Sequence, residues 1–396
     1  MAQMKENNSL MATPYGSFKL MRHAIPQTDP RENTLRAWSA ADEYLLEYVA
    51  DRDYALNENI VIVNDEFGGL TVPLAKFRPS LLSDSYVSHR AVQYNLQIND
   101  IPLDNVKLLS PFDELNKPID FVFIHIPKTL ALLEYQLMKL RGLLNPESKI
   151  IASAMIKHLP SSAIALFEKL IGPTTTSLAQ KKARLIFADP LFAENHPVIS
   201  IDESIYPVRY TLENTDYVVT NHANVFSRDQ LDIGTRFFIS AIPEMAGATR
   251  IVDLGCGNGI VGLIAAERNP QAEILFIDES FMAVESAKDS YSGAQLQKAS
   301  LANRVQFVVD DCLSSSVEAG SVDLVLCNPP FHQQNVVGDG VAWRMFTQSK
   351  RALRKGGELW VIGNRHLNYH SKLKRIFSAV QIVDSNSKFV ICRAIC

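Results

Sequence analysis

The sequence predicts an α/β chain of two tandem doubly wound domains, each with a mostly parallel sheet and an antiparallel edge strand. Three observations carry this. Strand-like and helix-like runs alternate through the second half, the first half repeats their order in weaker form, and 396 residues suit two domains better than one. The strand runs are apolar at every position rather than at alternate ones, as expected of strands covered by helices on both faces.

In the second half, RIVDLGCG (250–257) reads as a strand entering a turn and IVGLIAAERN (260–269) as a helix. EILFIDES (273–280) is the next strand, FMAVESAKDSYS (281–292) the next helix, and VQFVVDD (305–311) and VDLVLCNPP (322–330) are strands. VAWRMFTQSKRAL (341–353) is helical, GELWVIGN (357–364) is a strand, and KFVICRAI (388–395) closes the sheet as its antiparallel edge. The first half echoes this. NIVIVNDEFGGL (59–70) parallels the glycine turn region, and SDSYVSHRAVQYN (83–95) parallels IDESFMAVESAKD. DFVFIHIPKTL (120–130) matches DLVLCNPPFHQ position for position, and KLRGLLNPESKIIASAMIKHL (139–159) parallels KRALRKGGELWVIGNRHL. Such an echo reads as an internal duplication. The polar, proline-containing AENHPVISIDESIYP (193–207) sets the boundary near residue 200, giving domains 1–200 and 201–396.

Composition narrows the class. Apolar residues are 47% and charged residues 21%, enough for a sizeable core. No run approaches the ~18 apolar residues of a membrane span, and MAQMKENNSLMATPYGS lacks the apolar segment of a secretory signal. A cytoplasmic protein without a membrane partner is expected. The cysteines at 256, 312, 327, 392 and 396 form no CxxC pair, so neither a disulfide framework nor a zinc site is expected, and no other metal. The net charge of −4 hides an asymmetry: from Val341 onward eleven Lys/Arg face only Glu358 and Asp384. That is a phosphate-binding face or simply solubilising helix surface.

Gly255-x-Gly257-x-Gly259 follows a strand ending at Asp253 and opens a helix. Glycines admit positive φ and close approach of a ligand to the main chain, and the helix start offers free N–H groups. Gly257, Gly259 and Gly262 also satisfy the dinucleotide spacing, so a nicotinamide enzyme and a plain structural turn are the rivals. The tighter glycine spacing after an acidic residue favours a ligand without a pyrophosphate, such as S-adenosylmethionine. Asp278 ends the next strand, where it can accept from both ribose hydroxyls or cap the following helix. Asp311 ends the third strand, where it can accept from the adenine amino group with the Cys312 N–H facing a ring nitrogen; Asp310 is its rival.

Asn328-Pro329-Pro330-Phe331 stops an apolar strand abruptly, since proline cannot donate to a ladder. An amino group on a base or amide is a poor nucleophile because its lone pair is delocalised. Asn328 Oδ1 and the Pro329 carbonyl could accept its two hydrogens and free that lone pair. The prolines preorganise the acceptors, and Phe331 supplies a stacking face. His332 could relay the released proton, or simply pack the loop. Across the duplication these features are absent. Asn64-Asp65-Glu66-Phe67-Gly68 replaces the glycine turn, with side chains expected to fill ligand space and repel an anion, and His125-Ile126-Pro127 replaces Asn-Pro-Pro.

These residues carry a resemblance. The second half resembles the class I S-adenosylmethionine-dependent, Rossmann-like methyltransferases with an NPP[FY] motif. NPPFHQ, NHANVFSRDQLDIG (221–234) and the altered duplicate together are similar to the bacterial ribosomal-RNA guanine-N2 methyltransferases, of the 23S rather than the 16S type. The resemblance implies cofactor contacts at Asp253, Gly255, Gly257, Gly259, Asp278, Asp311, Cys312 and Asn328. It also implies a lid over the methionine end from Phe226, Ser227 and Asp232-Ile233-Gly234. Catalysis would fall to Asn328, Pro329, Pro330 and Phe331, and the first domain would hold no cofactor and recognise RNA. A guanine hidden in a helix must be flipped out or met before assembly, so deproteinised or early-assembly rRNA is the expected partner. Arg344, Arg351, Arg354, Lys355, Arg365, Lys372, Lys374 and Arg375 are the expected phosphate contacts. Rival readings are methylation of a protein glutamine or of adenine N6, and a non-catalytic RNA-binding assembly protein.

Overall fold

The computed structural model describes residues 9–22, 35–52, 54–56, 59–116, 118–191, 204–298, 300–330 and 337–396, without the side chains of 337–339. Two compact units result, Met1–Ile205 and Tyr206–Cys396.

Unit 1 begins with a hairpin, β1 (Leu10–Thr13) and β2 (Gly16–Lys19), and α1 (Ala40–Asp51). There follow β3 (Ile60–Val63), α2 (Thr71–Leu74), β4 (Ser80–Leu82), α3 (Tyr86–Gln97), β5 (Lys107–Leu109) and β6 (Ile119–His125). The unit ends with α4 (Leu130–Arg141), β7 (Leu144–Met155), α5 (Ser161–Leu170), β8 (Thr174–Thr176) and β9 (Ala183–Ala188). Unit 2 repeats the plan. Its hairpin is β10 (Val208–Thr211) and β11 (Val218–Asn221), then α6 (Ile233–Ala241), β12 (Arg250–Leu254), α7 (Ile260–Arg268), β13 (Glu273–Asp278) and α8 (Phe281–Gln297). β14 (Val305–Val309), β15 (Val322–Cys327), α9 (Val337–Ala352), β16 (Leu353–Asn364), α10 (Tyr369–Leu373), β17 (Ala379–Ser385) and β18 (Phe389–Ile395) complete it.

The two seven-stranded sheets have one topology, β5-β4-β3-β6-β7-β9-β8 and β14-β13-β12-β15-β16-β18-β17. Five strands are parallel neighbours. β9 and β18 run antiparallel to them, each flanked at the border by a further strand, β8 or β17. The continuous apolar runs land where both faces are covered: β3 and β15 are buried at every position, whereas the border strand β17 is almost entirely exposed.

Equivalence extends to single bonds. Asn64 N donates to Leu82 O at 3.1 Å, as Gly255 N does to Ile277 O at 2.8 Å, and both residues have positive φ. Ser85 caps α3 by accepting from Ser88 N, and Ser280 caps α8 by accepting from Ala283 N, each at 3.1 Å. Asp120 accepts from Asn59 N at 3.0 Å, while Asp323 accepts from Thr249 N and Arg250 N at 2.7 and 2.9 Å. These contacts hold the start of the first strand beside the fourth in each unit. They put the ends of β12, β13, β14 and β15 along one rim of the second sheet.

Candidate active site

The glycine turn joins β12 to α7. Gly255, Gly257 and Gly259 all have positive φ, at 74°, 54° and 80°, a region L-residues with a Cβ enter at a cost. Space separates their roles. A Cβ on Gly259 would lie 2.8 Å from the Ala287 backbone of α8, and one on Gly262 would lie 2.3 Å from the Phe276 ring, so these two glycines let α7 pack closely. A Cβ on Gly257 would meet nothing within 4 Å: its side faces open space, where a ligand can reach the main chain.

Acidic side chains surround the turn. Asp278 accepts from Gly257 N and Ser280 N, both at 3.0 Å, and burial raises its pKa. Asp253 is a correction to the expected cofactor contact. It is 2% exposed beneath the turn, where its carboxylate accepts from Gly262 N at 2.7 Å. Burial lifts its pKa to about 7 against that hydrogen bond, helped by the Asp278 charge. After β14, Asp310 is consumed locally: its buried carboxylate takes bonds from Ser314, Ser315 and Ser316, which hold its pKa below the ordinary range despite desolvation. Asp311 is therefore the partly exposed acid at this strand end, beside Cys312, whose thiol pKa burial raises.

Asn328 stands at the end of β15. Its Nδ2 donates to Thr235 Oγ1 at 3.1 Å. Thr235 is the third residue of α6 and is bound by its N and Oγ1 to the N-cap carboxylate of Asp232, at 2.8 and 3.3 Å. Asn328 Oδ1 is buried with no hydrogen-bond partner among the described residues. A buried unpaired acceptor costs about 1–3 kcal/mol, and its amide is oriented so that this oxygen is the one left open. The main-chain carbonyl of Asn328 comes within 4.0 Å of where a Gly255 Cβ would be, so the two motifs meet. Pro329 is buried and Pro330 exposed. Phe331 and His332 lie outside the described residues.

The segment before α6 reaches the same place. Asn258 of the glycine turn donates to Asn221 Oδ1 at 2.9 Å, and Ser286 and Ser290 of α8 bind His222 N and Thr220 N at 2.9 Å each. Phe226 is 66% exposed and Ser227 has φ 53°; Asp232, by contrast, caps α6.

The expected phosphate contacts separate. Arg344 pairs with Asp311 at 3.0 Å, and Arg351 donates to the carbonyl oxygens of Leu313 and Val317. Arg354 pairs with Asp323, Arg375 lies over the Trp343 ring and Lys372 over the Tyr369 ring. Lys355 and Lys374 are exposed. Arg365 donates to Asn386 O at 3.1 Å and lines a cavity. Thr235, Asn221 and Asn258 had no sequence signal of their own, because their contacts cross tens of residues. The glycine at 262 was visible only as part of an ambiguous pattern.

The rim of a doubly wound sheet, a glycine turn after the first strand and an Asn-Pro-Pro turn after the fourth together define a class I S-adenosylmethionine-dependent methyltransferase. Two family models match, the RLMG N-terminal domain over residues 8–191 and the methyltransferase small domain over residues 216–393. Relatives from Yersinia enterocolitica (49% identical; 96% of this chain, 92% of the relative) and Streptomyces avermitilis (45%; 98% and 99%) are both called ribosomal RNA large subunit methyltransferase G. The chain belongs to the ribosomal RNA large subunit methyltransferase G family. A solved T. thermophilus 16S rRNA N2 methyltransferase, in complex with AdoMet and guanosine, shares the whole fold with TM-score 0.72 over 99% of both chains at 17% identity. Among the described residues no helix is long and apolar enough to cross a membrane.

Proposed function

We propose that unit 2 transfers a methyl group from S-adenosylmethionine to the exocyclic N2 amino group of a guanine in 23S rRNA. The observation that carries this is the open Oδ1 of Asn328, a buried acceptor oriented from behind by Thr235. The site fits the cofactor: Gly257 presents main chain to open space beside Asp278, and Asp311 lies at the next strand end. The cofactor, when bound, supplies a sulfonium methyl group already activated for transfer. The chain's own task is alignment. Asn328 Oδ1 and the Pro329 carbonyl take the two amino hydrogens, so the nitrogen lone pair is released from the ring and directed away from them. The product ammonium is acidic, so no strong base is required.

Unit 1, in this reading, binds no cofactor and helps recognise RNA, and the substrate is 23S rRNA before it is covered by protein. Incubating the enzyme with labelled cofactor and, in separate reactions, a 23S transcript, intact large subunits, a 16S transcript or a release factor, then digesting to nucleosides or amino acids, tests this. N2-methylguanosine from the transcript is expected. Label in 16S rRNA, in adenine N6 or in a release-factor glutamine would replace the reading. Calorimetry should find one equivalent of cofactor per chain; two would return a binding site to unit 1.

A further inference from the structure

The cavity that Arg365 lines lies on the same rim, apart from the glycine turn and Asn328. It has a volume of about 530 Å³ and is lined by Asn364, Arg365, His366, Ser387 and Lys388. Asn364 ends β16, and its register partner Phe389 begins β18. β16 is parallel to β15, so the cavity lies at the strand end that carries Asn328, on the side away from Asp278 and Asp311. Neighbouring strands are about 4.8 Å apart, which sets it roughly 5–10 Å along the rim from the Asn328 strand.

Its chemistry is one-sided. Two permanent cations and a histidine line it, and no acid does. The walls are knit by the backbone: Asn386 Oδ1 accepts from Lys388 N and Phe389 N at 2.9 and 2.8 Å, and Arg365 N donates to Lys388 O at 3.0 Å. Arg344 and Arg354, by contrast, are paired with the carboxylates of Asp311 and Asp323. A second observation is independent of charge. Asn364 Oδ1 is buried with no hydrogen-bond partner among the described residues. The phosphodiester of a nucleic-acid strand is the complement of the two cations.

We infer that this cavity binds a phosphodiester of the RNA strand flanking the target nucleotide, and so sets which base reaches Asn328. The inference rests on the rRNA-methylation reading and deepens it. Lys388 is the residue to test, since among the described residues its side chain is engaged by the Phe389 ring, which it overlies, and by no acid. Binding of a 23S transcript should be followed across a salt series for wild type, Lys388→Gln and Lys388→Arg. Lys388→Gln should weaken binding and reduce the slope of log affinity against log salt by about 1. Lys388→Arg should restore the slope, and cofactor affinity should be the same in all three. Parallel salt lines for wild type and Lys388→Gln would overturn the cavity assignment. A wild-type enzyme that binds the transcript without methylating it would overturn the rRNA reading instead, and the salt lines would still judge the cavity.

Discussion

In each unit a side chain just at the end of the fourth strand meets the third residue of the helix that precedes the first strand. In unit 2 the pair is Asn328 with Thr235, an amide on a hydroxyl at 3.1 Å. In unit 1 it is His125 with Asp42, an ion pair at 2.7 Å. The geometry is one and the chemistry two. The neutral pair fixes the amide and leaves Oδ1 without a donor among the described residues. Burial alone would lower the His125 pKa, but the Asp42 charge outweighs it and raises it to about 9.

The glycine turn shows the same substitution of ligand by side chain. Asp65 stands where unit 2 has Cys256, and its carboxylate accepts from Gly68 N, Gly69 N, Leu70 N and Thr71 N at 2.7–2.9 Å, and from Thr71 Oγ1 at 2.8 Å. It occupies the amide-rich helix start that would otherwise receive a ligand's negative end. Ser83 replaces Asp278 at the second strand end, while Ser85, Asp120 and Gly68 keep the scaffold roles of Ser280, Asp323 and Gly259. Unit 1 keeps the contacts that shape the sheet, and an acidic side chain takes the amides at its turn. Asp42, Asp65 and His125 bring their ligand atoms within 4.8 Å of one another, and the Asp65 carboxylate in that cluster already takes five donors.

The largest contrast should come from removing each strand-end group. Asn328→Ala should lower kcat by about 10²–10³-fold or more, the range for losing one preorganised polar contact to the reacting group. Cofactor affinity, measured by calorimetry, should be retained. His125→Ala should instead destabilise the protein, by about 3–5 kcal/mol if the stranded Asp42 cannot relax, while the fraction that stays folded keeps its kcat. Equal kcat losses in both variants would abolish the distinction between a working and a filled site.

Much of this contrast was legible beforehand. The fully apolar runs gave the strands because burial on both faces leaves no alternation to misread. The aligned Asp-x-Val/Leu-x segments at 120 and 323 fixed the duplication, and Asn-Pro-Pro announced a rigid strand end. Other features were hidden for physical reasons. Asp65 was expected to repel an anion; it takes the anion's place, which depends on four amides converging in space. Eleven C-terminal cations read either as a phosphate-binding face or as solubilising surface, because a charge count is blind to acceptors such as Asp311, Asp323 and the Leu313 carbonyl. Thr235 and Asn328 are 93 residues apart and share no motif.

The pH response should separate the units next. Folded His125 has a pKa of about 9 against about 6.5 unfolded, so its ion pair contributes fully below about pH 6.5 and is lost as pH rises through 9. The full effect is ~3 kcal/mol at most. Asp253 is also raised, to about 7 from near 3.9, so it too favours the folded state at low pH, and that contribution disappears as pH rises from about 4 through 7. Denaturant unfolding of His125→Gln and Asp253→Asn across pH should flatten the stability curve in the higher window for the first and the lower for the second. A flat wild-type curve through both windows would contradict the two charge assignments.

The smallest expected effect tests why the neutral pair was kept. Thr235 Oγ1 has one hydrogen, which goes to Asp232, so its lone pair can only accept, and the Asn328 amide must present Nδ2 to it. Thr235→Val preserves shape and the Asp232 bond to the main-chain N but removes that acceptor, leaving the amide free to turn Oδ1 away. Stranding Nδ2 forfeits on the order of 1–3 kcal/mol, some of which relaxation recovers, so kcat should fall roughly tenfold. KM for the cofactor should stay unchanged, and Thr235→Ser, which keeps the hydroxyl, should recover most of the rate. A structural role alone would move melting temperature and spare kcat, and would not distinguish Ser from Val. If Val and Ser variants turned over alike, the open oxygen of Asn328 would owe its orientation to something other than the Thr235 hydroxyl of α6.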